Sequence, residues 1–446
     1  MARAAPPQDP ARVPPCATRA YAPRRPQASP LYRVLADHFD RLEREYEERF
    51  ERTHGPLRPA ARRAAARFLD CGLLEHGFAR VRCEACRAEF LVAFRCKGRQ
   101  FCPSCHARRL AEWSLWLEES LLLDVPHRQV VLTLPKRLRP YFLYVRRRLG
   151  GLSRIAARVL SRYVQAALGE GDAAPGAIVC VQTFGSIAHW HPHLHVLITD
   201  GAFTRGGRFL PAPAHDPAML QEAFRRAALA WFVREGWLED EAAAAMLAWP
   251  HSGFGAHVGP LIAGDDRASL TRVARYGARA PIAEDRLRYH AGRAEVELAS
   301  DAASGPYVGV HRMDALEFLA RWVTHVPDHY ETRVRYYGAY ATRRRLWWRR
   351  RGVVPEGARG ASATGPASGP AAPPTDDWPA LRARRRRWAE LLRRVFEIEV
   401  HVCPACAGAM RIVAFVTAPK AVRKILAHLE RKGIDARAGP WAAAAA

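Results

Sequence analysis

Apolar residues recur at helical spacing from Leu31 to about Arg52, with Leu35, His38, Phe39, Leu42 and Tyr46 on one face, and a second helix is predicted over 58–70. An amphipathic run from about Arg108 to Leu123 places Leu110, Trp113, Leu117 and Leu121 together. The texture then changes. Residues 129–134 (QVVLTL), 177–184 (AIVCVQTF) and 194–199 (LHVLIT) read as strands, and the Arg-rich stretch 138–169 reads as helix. Residues 215–248 predict one or two helices, and 268–276 predict another, whose continuation Pro281 bounds. Residues 352–375, rich in Gly, Ala and Pro, predict a linker. Helices around Cys403-x-x-Cys406 are expected after it, and residues 1–29 predict a disordered tail. No internal repeat is visible.

These elements describe an α+β chain in five parts: a tail (1–29), a helical and cysteine-rich domain (30–120), a mixed strand–helix domain (121–350), a linker (351–376) and a C-terminal CxxC module (377–436). No apolar run approaches the roughly 18–20 residues of a membrane span. The N-terminal stretch has no apolar core of a secretory leader.

Charge narrows the class of partner. The 446 residues carry 69 Lys and Arg against 44 Asp and Glu, a formal charge of +25, and only five of the cations are lysine. Such an excess favours a polyanionic partner, nucleic acid first, over a small acidic metabolite.

Cysteine usage points to metal. Six of the ten cysteines lie between Cys71 and Cys105, and two more form Cys403-Pro-Ala-Cys406. Cys83-x2-Cys86-x15-Cys102-x2-Cys105 has the spacing of a four-cysteine zinc site, in which two CxxC knuckles each present two thiolates. Cys71, Cys96 and His106 lie close enough in sequence to replace a member or to build a second site. Cys403 and Cys406 supply two ligands of another. Arg95, Lys97, Arg99, Arg108 and Arg109 interleave with the knuckles, a composition suited to phosphate contacts or to a solvated basic surface.

The sharpest signal is His-Trp-His-Pro-His-Leu-His over 189–195. His193 and His195 alternate with Leu194, Val196 and Ile198, so a strand aims both imidazoles at one face and the aliphatic residues at the other. Two neighbouring imidazoles on one face are natural metal ligands. Gln182, on the preceding strand, is a candidate third ligand, with His189 and His191 as others. Tyr276, flanked by Arg275 and Arg279, gains interest from that pair: a metal can polarise a phosphate that a tyrosine then attacks.

Taken together these motifs resemble the HUH class of single-strand DNA nucleases, named for two histidines around an apolar residue. Within it they resemble the rolling-circle transposases of the insertion-sequence ninety-one family. The resemblance runs from about Tyr32 to Leu429. It rests on Cys83-x2-Cys86, the run Phe94-Arg95-Cys96-Lys97-Gly98-Arg99, Phe101-Cys102-Pro103-Ser104-Cys105, Gln182-Thr183-Phe184-Gly185-Ser186, and His191-Pro192-His193-Leu194-His195. His251-Ser252-Gly253-Phe254, Ala274-Arg275-Tyr276, Arg335-Tyr336-Tyr337-Gly338 and the C-terminal Cys-Pro-x-Cys extend it. Family members with two nucleophilic tyrosines space them four apart. Here Arg272 and Ala280 occupy those positions around Tyr276, so the chain resembles the single-tyrosine branch.

The resemblance implies an HUH palm, an antiparallel sheet flanked by helices, with a zinc-ribbon-like N-terminal module. It implies Mg²⁺ or Mn²⁺ on His193 and His195, Tyr276 as nucleophile, structural Zn²⁺, and single-stranded DNA of element ends and target DNA as substrates. Arg275 and Arg279 would contact that DNA. A cytoplasmic, nucleoid-associated bacterial protein, away from membranes and free to form oligomers, is expected. A replication initiator or relaxase with the same chemistry is one alternative. A non-catalytic zinc-dependent nucleic-acid-binding protein is another. A hydrolase built on the histidine cluster, which would leave a free 5′-phosphate, is disfavoured because no further Asp or His ligand motif accompanies 191–195.

Overall fold

The structure, a computed structural model, describes residues 25–213, 215–358, 402–403 and 406–433. The expected tail up to 24, most of the linker and much of the C-terminal module lie outside the described residues. In chain order the elements are α1 (Pro30–Arg49), α2 (Glu51–His54), α3 (Pro59–Leu69), β1 (Phe78–Cys83), β2 (Glu89–Ala93), α4 (Pro103–Trp116), β3 (His127–Thr133), α5 (Pro140–Tyr144) and α6 (Arg148–Leu168). There follow β4 (Gly176–Phe184), β5 (Trp190–Thr199), β6 (Gly201–Phe203), β7 (Phe209–Pro211), α7 (Pro217–Arg234), α8 (Asp240–Leu247), β8 (Gly255–Ile262) and α9 (Arg267–Gly277). The last are β9 (Leu287–His290), β10 (Glu295–Ala299), β11 (Val310–Asp314), α10 (Ala315–Thr324), β12 (Val334–Gly338), α11 (Thr342–Arg350), β13 (Met410–Val416) and α12 (Pro419–Arg431).

Local chemistry sets the ends of these elements. The Ser29 side chain accepts from the Tyr32 amide ahead of Pro30 and opens α1, Asp266 caps the Ser269 amide of α9, and Asp314 caps Leu316 and Glu317 of α10. Gly169, with φ 68°, closes α6 in the left-handed region. The stretch 138–169 is two helices, not one, because the chain turns through Val145 before Arg148.

Two compact units emerge. The larger combines Pro26–Cys71 with the described residues from Arg95 to 358. At its centre is a five-stranded antiparallel sheet in the order β12-β4-β5-β3-β8, so the histidine strand β5 is the middle strand. One face of the sheet buries Leu194, Val196 and Ile198 against Leu152, Ile155 and Leu160 of α6 and Phe224 and Phe232 of α7. The other buries Ile178, Cys180 and Leu197 under Leu270 and Ala274 of α9. A third core joins α1, α3 and α10 to the small sheet β11-β10-β9.

The smaller unit contains Gly72–Phe94 and described residues beyond 401. Its sheet has the order β13-β1-β2. The segment expected to be helical around the CxxC therefore supplies a strand as well as a helix, and Phe78 pairs with Val416 and Cys83 with Met410. Alternating Met410, Ile412, Ala414 and Val416 carry that strand's inward face.

His127, at the start of β3, is fully buried. It sits 2.7 Å from the Val125 carbonyl through Nδ1 and 2.5 Å from the Tyr340 hydroxyl through Nε2. Burial pushes its pKa down to about 4. The folded state thus binds fewer protons than the unfolded chain between pH ~6.5 and the folded value. The resulting stability is complete above pH ~6.5 and is lost as pH falls toward 4, about 3 kcal/mol in all. Urea midpoints measured across that window should fall less steeply for His127→Gln than for wild type; equal slopes would remove His127 from the acid response.

Candidate metal and tyrosine centre

The strand register builds the site. On β5, His193 lies opposite Gln182 of β4 and Thr133 of β3, and His195 lies opposite Cys180 and Val131. Directly opposed residues share a face, so both imidazoles project toward α9. Their Nε2 atoms are 3.1 Å apart. His193 Nδ1 donates to the His191 carbonyl at 2.8 Å, which leaves its Nε2 as a lone-pair donor. The Gln129 amide meets His195 Nδ1 at 3.0 Å and orients the second ring. Burial lowers the pKa of His193 to about 4 and that of His195 to about 3, so both are neutral at pH 7. With its Nδ1 accepting from the Gln129 amide nitrogen, neutral His195 carries its proton on Nε2 and donates to His193 Nε2. Loss of that proton, or its transfer to Nδ1 with the Gln129 amide turned over, turns both Nε2 atoms toward one cation.

Tyr276, in the last turn of α9, is 47% exposed and meets the His195 ring edge-on with centroids 5.4 Å apart. The Arg279 guanidinium lies 4.5 Å from the tyrosine ring centroid and pairs with Asp301. Gln182, expected as a third ligand, donates its amide to the Tyr276 carbonyl at 2.7 Å and the Gly277 carbonyl at 3.1 Å. Its nitrogen therefore holds the end of the tyrosine helix. Among the described residues no third His, Cys, Asp or Glu ligand atom gathers with the histidine pair.

Gly277 allows the helix to lie this low. A Cβ there would stand 3.1 Å from His195 Cβ and 3.2 Å from Cys180 Cβ. Gly277→Val should therefore cost about 1–3 kcal/mol by overpacking. Gly292→Ala, where an added Cβ meets nothing within 4 Å, is the control and should leave the unfolding midpoint unchanged.

The cysteines are regrouped relative to the sequence expectation. Cys102 and Cys105 assemble with Cys71 and Cys96, whereas Cys83 and Cys86 assemble with Cys403 and Cys406. The expected Cys83–Cys86–Cys102–Cys105 quartet is thus divided, and Cys71, Cys96, Cys403 and Cys406 complete two sets of four. Spacing could not decide this, because a CxxC turn looks the same whichever turn completes it. In the first set Cys71 Sγ is 3.8 Å from Cys102 and 3.7 Å from Cys105, and Cys96 is 3.6 Å from Cys105. In the second, Cys83–Cys406 is 3.5 Å and Cys86–Cys403 is 3.7 Å. These separations are too long for disulfides. They match the roughly 3.8 Å between sulfurs of a zinc tetrahedron with 2.3 Å bonds. Hydrogen bonding from Cys102 and Cys105 pushes the Cys71 thiol down while the same neighbours push Cys96 up, so the set ionises together only around a cation.

His106, a candidate ligand by sequence, belongs to neither set. Its Nδ1 accepts from the Gln100 amide at 3.3 Å and its Nε2 donates to the Ala278 carbonyl at 2.9 Å. It ties the cysteine-bearing helix α4 to the end of the tyrosine helix, a role for which the sequence carries no signal. Among the basic residues, Lys97, Arg109 and Arg275 are exposed and Arg95 is half-buried. Arg108 pairs with Glu112 at 2.9 Å, and Arg99 donates to the Glu331 carbonyl at 3.1 Å.

Comparison with known proteins agrees with this architecture. The family model described as "Putative transposase" matches residues 176–346, and "Transposase zinc-binding domain" matches 41–134, together more than half of the chain. The first covers β4, β5 and α9, and the second covers six cysteines. These domains define a transposase. The chain belongs to the insertion-sequence ninety-one family of these enzymes. It is 26% identical over 309 residues to the transposase for insertion sequence element IS801 of Pseudomonas savastanoi pv. phaseolicola, covering 65% of this chain and 72% of the relative. To the "Putative transposase y4qJ" of Sinorhizobium fredii it is 26% identical over 320 residues, 68% of this chain and 80% of the relative. No solved structure matches the chain. No helix among the described residues is long and apolar enough to cross a membrane.

Proposed function

We propose that this transposase cleaves and rejoins single-stranded DNA at insertion-element ends through a covalent bond to Tyr276. The observation that carries the reading is the facing pair His193 Nε2 and His195 Nε2, 3.1 Å apart, with the Tyr276 ring against His195. His193, His195 and the Gln182 amide oxygen, the atom left once its nitrogen is bound to the helix end, would hold Mg²⁺ or Mn²⁺. That cation supplies Lewis-acid polarisation and charge neutralisation at the scissile phosphate.

The chain's own residues do the rest. The Tyr276 phenol gives its proton to solvent and its oxygen attacks phosphorus in line. The bond to the 3′ oxygen of the preceding nucleotide breaks, and that oxygen takes a proton to become a free 3′-OH. A 5′-phosphotyrosine forms, and attack by a 3′-OH reverses the step and reseals a strand. One phosphoester is exchanged for another, so no external energy source is needed. The Arg279 guanidinium, 4.5 Å from the ring centroid, sets a cation beside the nucleophile where the DNA phosphate would lie. Gln182 and His106 fix the carbonyls at the end of α9 and so position the nucleophile. Both cysteine quartets take structural Zn²⁺. The reaction belongs in the bacterial cytoplasm, where the element's DNA is found.

The test is a labelled single strand carrying an element end, incubated with the full chain and Mn²⁺ and run on a denaturing gel. Wild type should give a protein–DNA band that EDTA abolishes. Gln129→Leu, which removes the partner of His195 Nδ1, should raise the metal concentration for half-maximal attachment about 10- to 100-fold. Cleavage that is indifferent to EDTA, or that leaves a free 5′-phosphate, would contradict the reading.

A further inference from the structure

The catalytic sheet has a second basic surface, on the face away from Tyr276. α6 packs on that face through Leu152, Ile155, Ala156, Val159 and Leu160. Its opposite ridge exposes Arg154, Arg158 and Arg162, four residues apart. Successive guanidinium groups are thus carried about 6 Å apart along the helix axis. Arg335 joins them from the edge strand β12. It pairs with Val179, whose side chain lies in the α6-side core, so its own side chain turns toward α6. A Cβ on Gly150 would stand 2.9 Å from Arg335 Nη2 and 3.8 Å from Arg154 Nη1, so two guanidinium groups converge over the glycine.

Like charges brought together this way repel unless an anion lies between them. Among the described residues none of the four arginines pairs with a carboxylate, and Arg335 Nε is buried without a hydrogen-bond partner. The acids of the neighbouring helix α7 are occupied elsewhere: Glu222 takes Arg225 and Arg226. Near the end of α7, Glu235 lies 3.7 Å from Arg234. The exposed ridge carries arginines without interleaved aromatic side chains. Surfaces that bind single strands add stacking platforms to their charge, whereas a straight row of cations suits a regular phosphate ladder.

We propose that the Arg154–Arg158–Arg162 ridge, with Arg335, binds the phosphate backbone of duplex DNA independently of the strand engaged at Tyr276. The proposal rests on the reading of the chain as a DNA-acting transposase and adds a second contact to it. It would hold the DNA flanking the processed end while the single strand occupies the opposite face.

The test uses the full chain, a random-sequence duplex several turns long, and anisotropy titrations over a potassium chloride series. The triple variant Arg154→Gln, Arg158→Gln, Arg162→Gln keeps good helix formers. It should bind the duplex at least about 10-fold more weakly near physiological salt, with the slope of log K against log salt reduced by about 2–3. The corresponding triple Lys variant should retain both. Arg226→Gln, which removes a cation already paired with Glu222, should change neither. Covalent attachment of a short single strand should be equal in wild type and in the Gln triple. An unchanged salt slope in the Gln triple, with an unchanged unfolding midpoint, overturns the ridge. Absence of any covalent band in wild type overturns the tyrosine mechanism instead, and the duplex slopes still decide the ridge.

Discussion

Tyr276→Phe is expected to lose covalent attachment to single-stranded DNA by at least about three orders of magnitude while binding the same DNA normally. The substitution deletes one oxygen and leaves the ring where it meets His195 and Arg279, so fold and charge are unchanged. Tyr289→Phe is the matched control. The Tyr289 hydroxyl donates to Asp37 Oδ2 at 2.8 Å and meets His38 Nε2 at 2.9 Å. Burial, followed by the Asp37 carboxylate, pushes its pKa up to about 12, the wrong direction for a nucleophile. It sits on β9, in the small sheet against α1, and its loss should leave attachment intact. Persisting attachment in Tyr276→Phe would mean a different nucleophile.

Cys105→Ala should be nearly as damaging, by another route. Cys71, Cys102 and Cys105 are buried in the core that joins α1, α3 and α10, so their quartet is a cross-link within that core. Losing one ligand of a structural zinc site releases metal whose binding is coupled to folding, a loss above about 4 kcal/mol. The adjacent residue His106 carries the damage to Ala278 at the end of the tyrosine helix. Metal analysis should find two zinc ions per wild-type chain and one in Cys105→Ala, together with a lowered unfolding midpoint and slower attachment. Cys406→Ala should also bind one zinc, with its loss confined to the smaller unit. If Cys105→Ala keeps both ions, the grouping is wrong, and if wild type binds a single ion that Cys83→Ala and Cys105→Ala each remove, the four residues share one site after all.

Much of the centre was legible in the sequence because it depends on local periodicity. The alternation of His193 and His195 with Leu194, Val196 and Ile198 already assigned the two faces of β5, and the strand occupies the middle of the sheet where both faces need cover. The helix over 268–276 was readable from its spacing and from the proline beyond it.

What depended on long-range register was not legible. β13 reaches β1 across more than three hundred residues, and only that pairing brings Cys403 and Cys406 to Cys83 and Cys86. β12 reads as an Arg- and Tyr-rich segment, and its half-buried edge position gives no strong apolar alternation. The strands β9 and β11 are short and carry exposed charges, so they lack a hydrophobic run that would announce them. Gln129, which orients His195, and His106, which orients the tyrosine helix, act through one hydrogen bond each with partners 66 and 172 residues away. Gln182 was expected beside the histidines from its position on the preceding strand and lies opposite His193, but its amide nitrogen serves the helix end, which the sequence did not suggest.

The most direct measurement is the identity of the residue that carries the DNA. The full chain is reacted with an element-end single strand and Mn²⁺, the DNA is trimmed to a residual nucleotide, and the protein is digested with trypsin. Cleavage after Arg275 and Arg279 frees the peptide Tyr276–Arg279. Mass spectrometry should find the nucleotide phosphate on that peptide and on Tyr276 within it. A nucleotide on the Tyr289 peptide, or a cleaved strand with no modified peptide at all, would contradict the account.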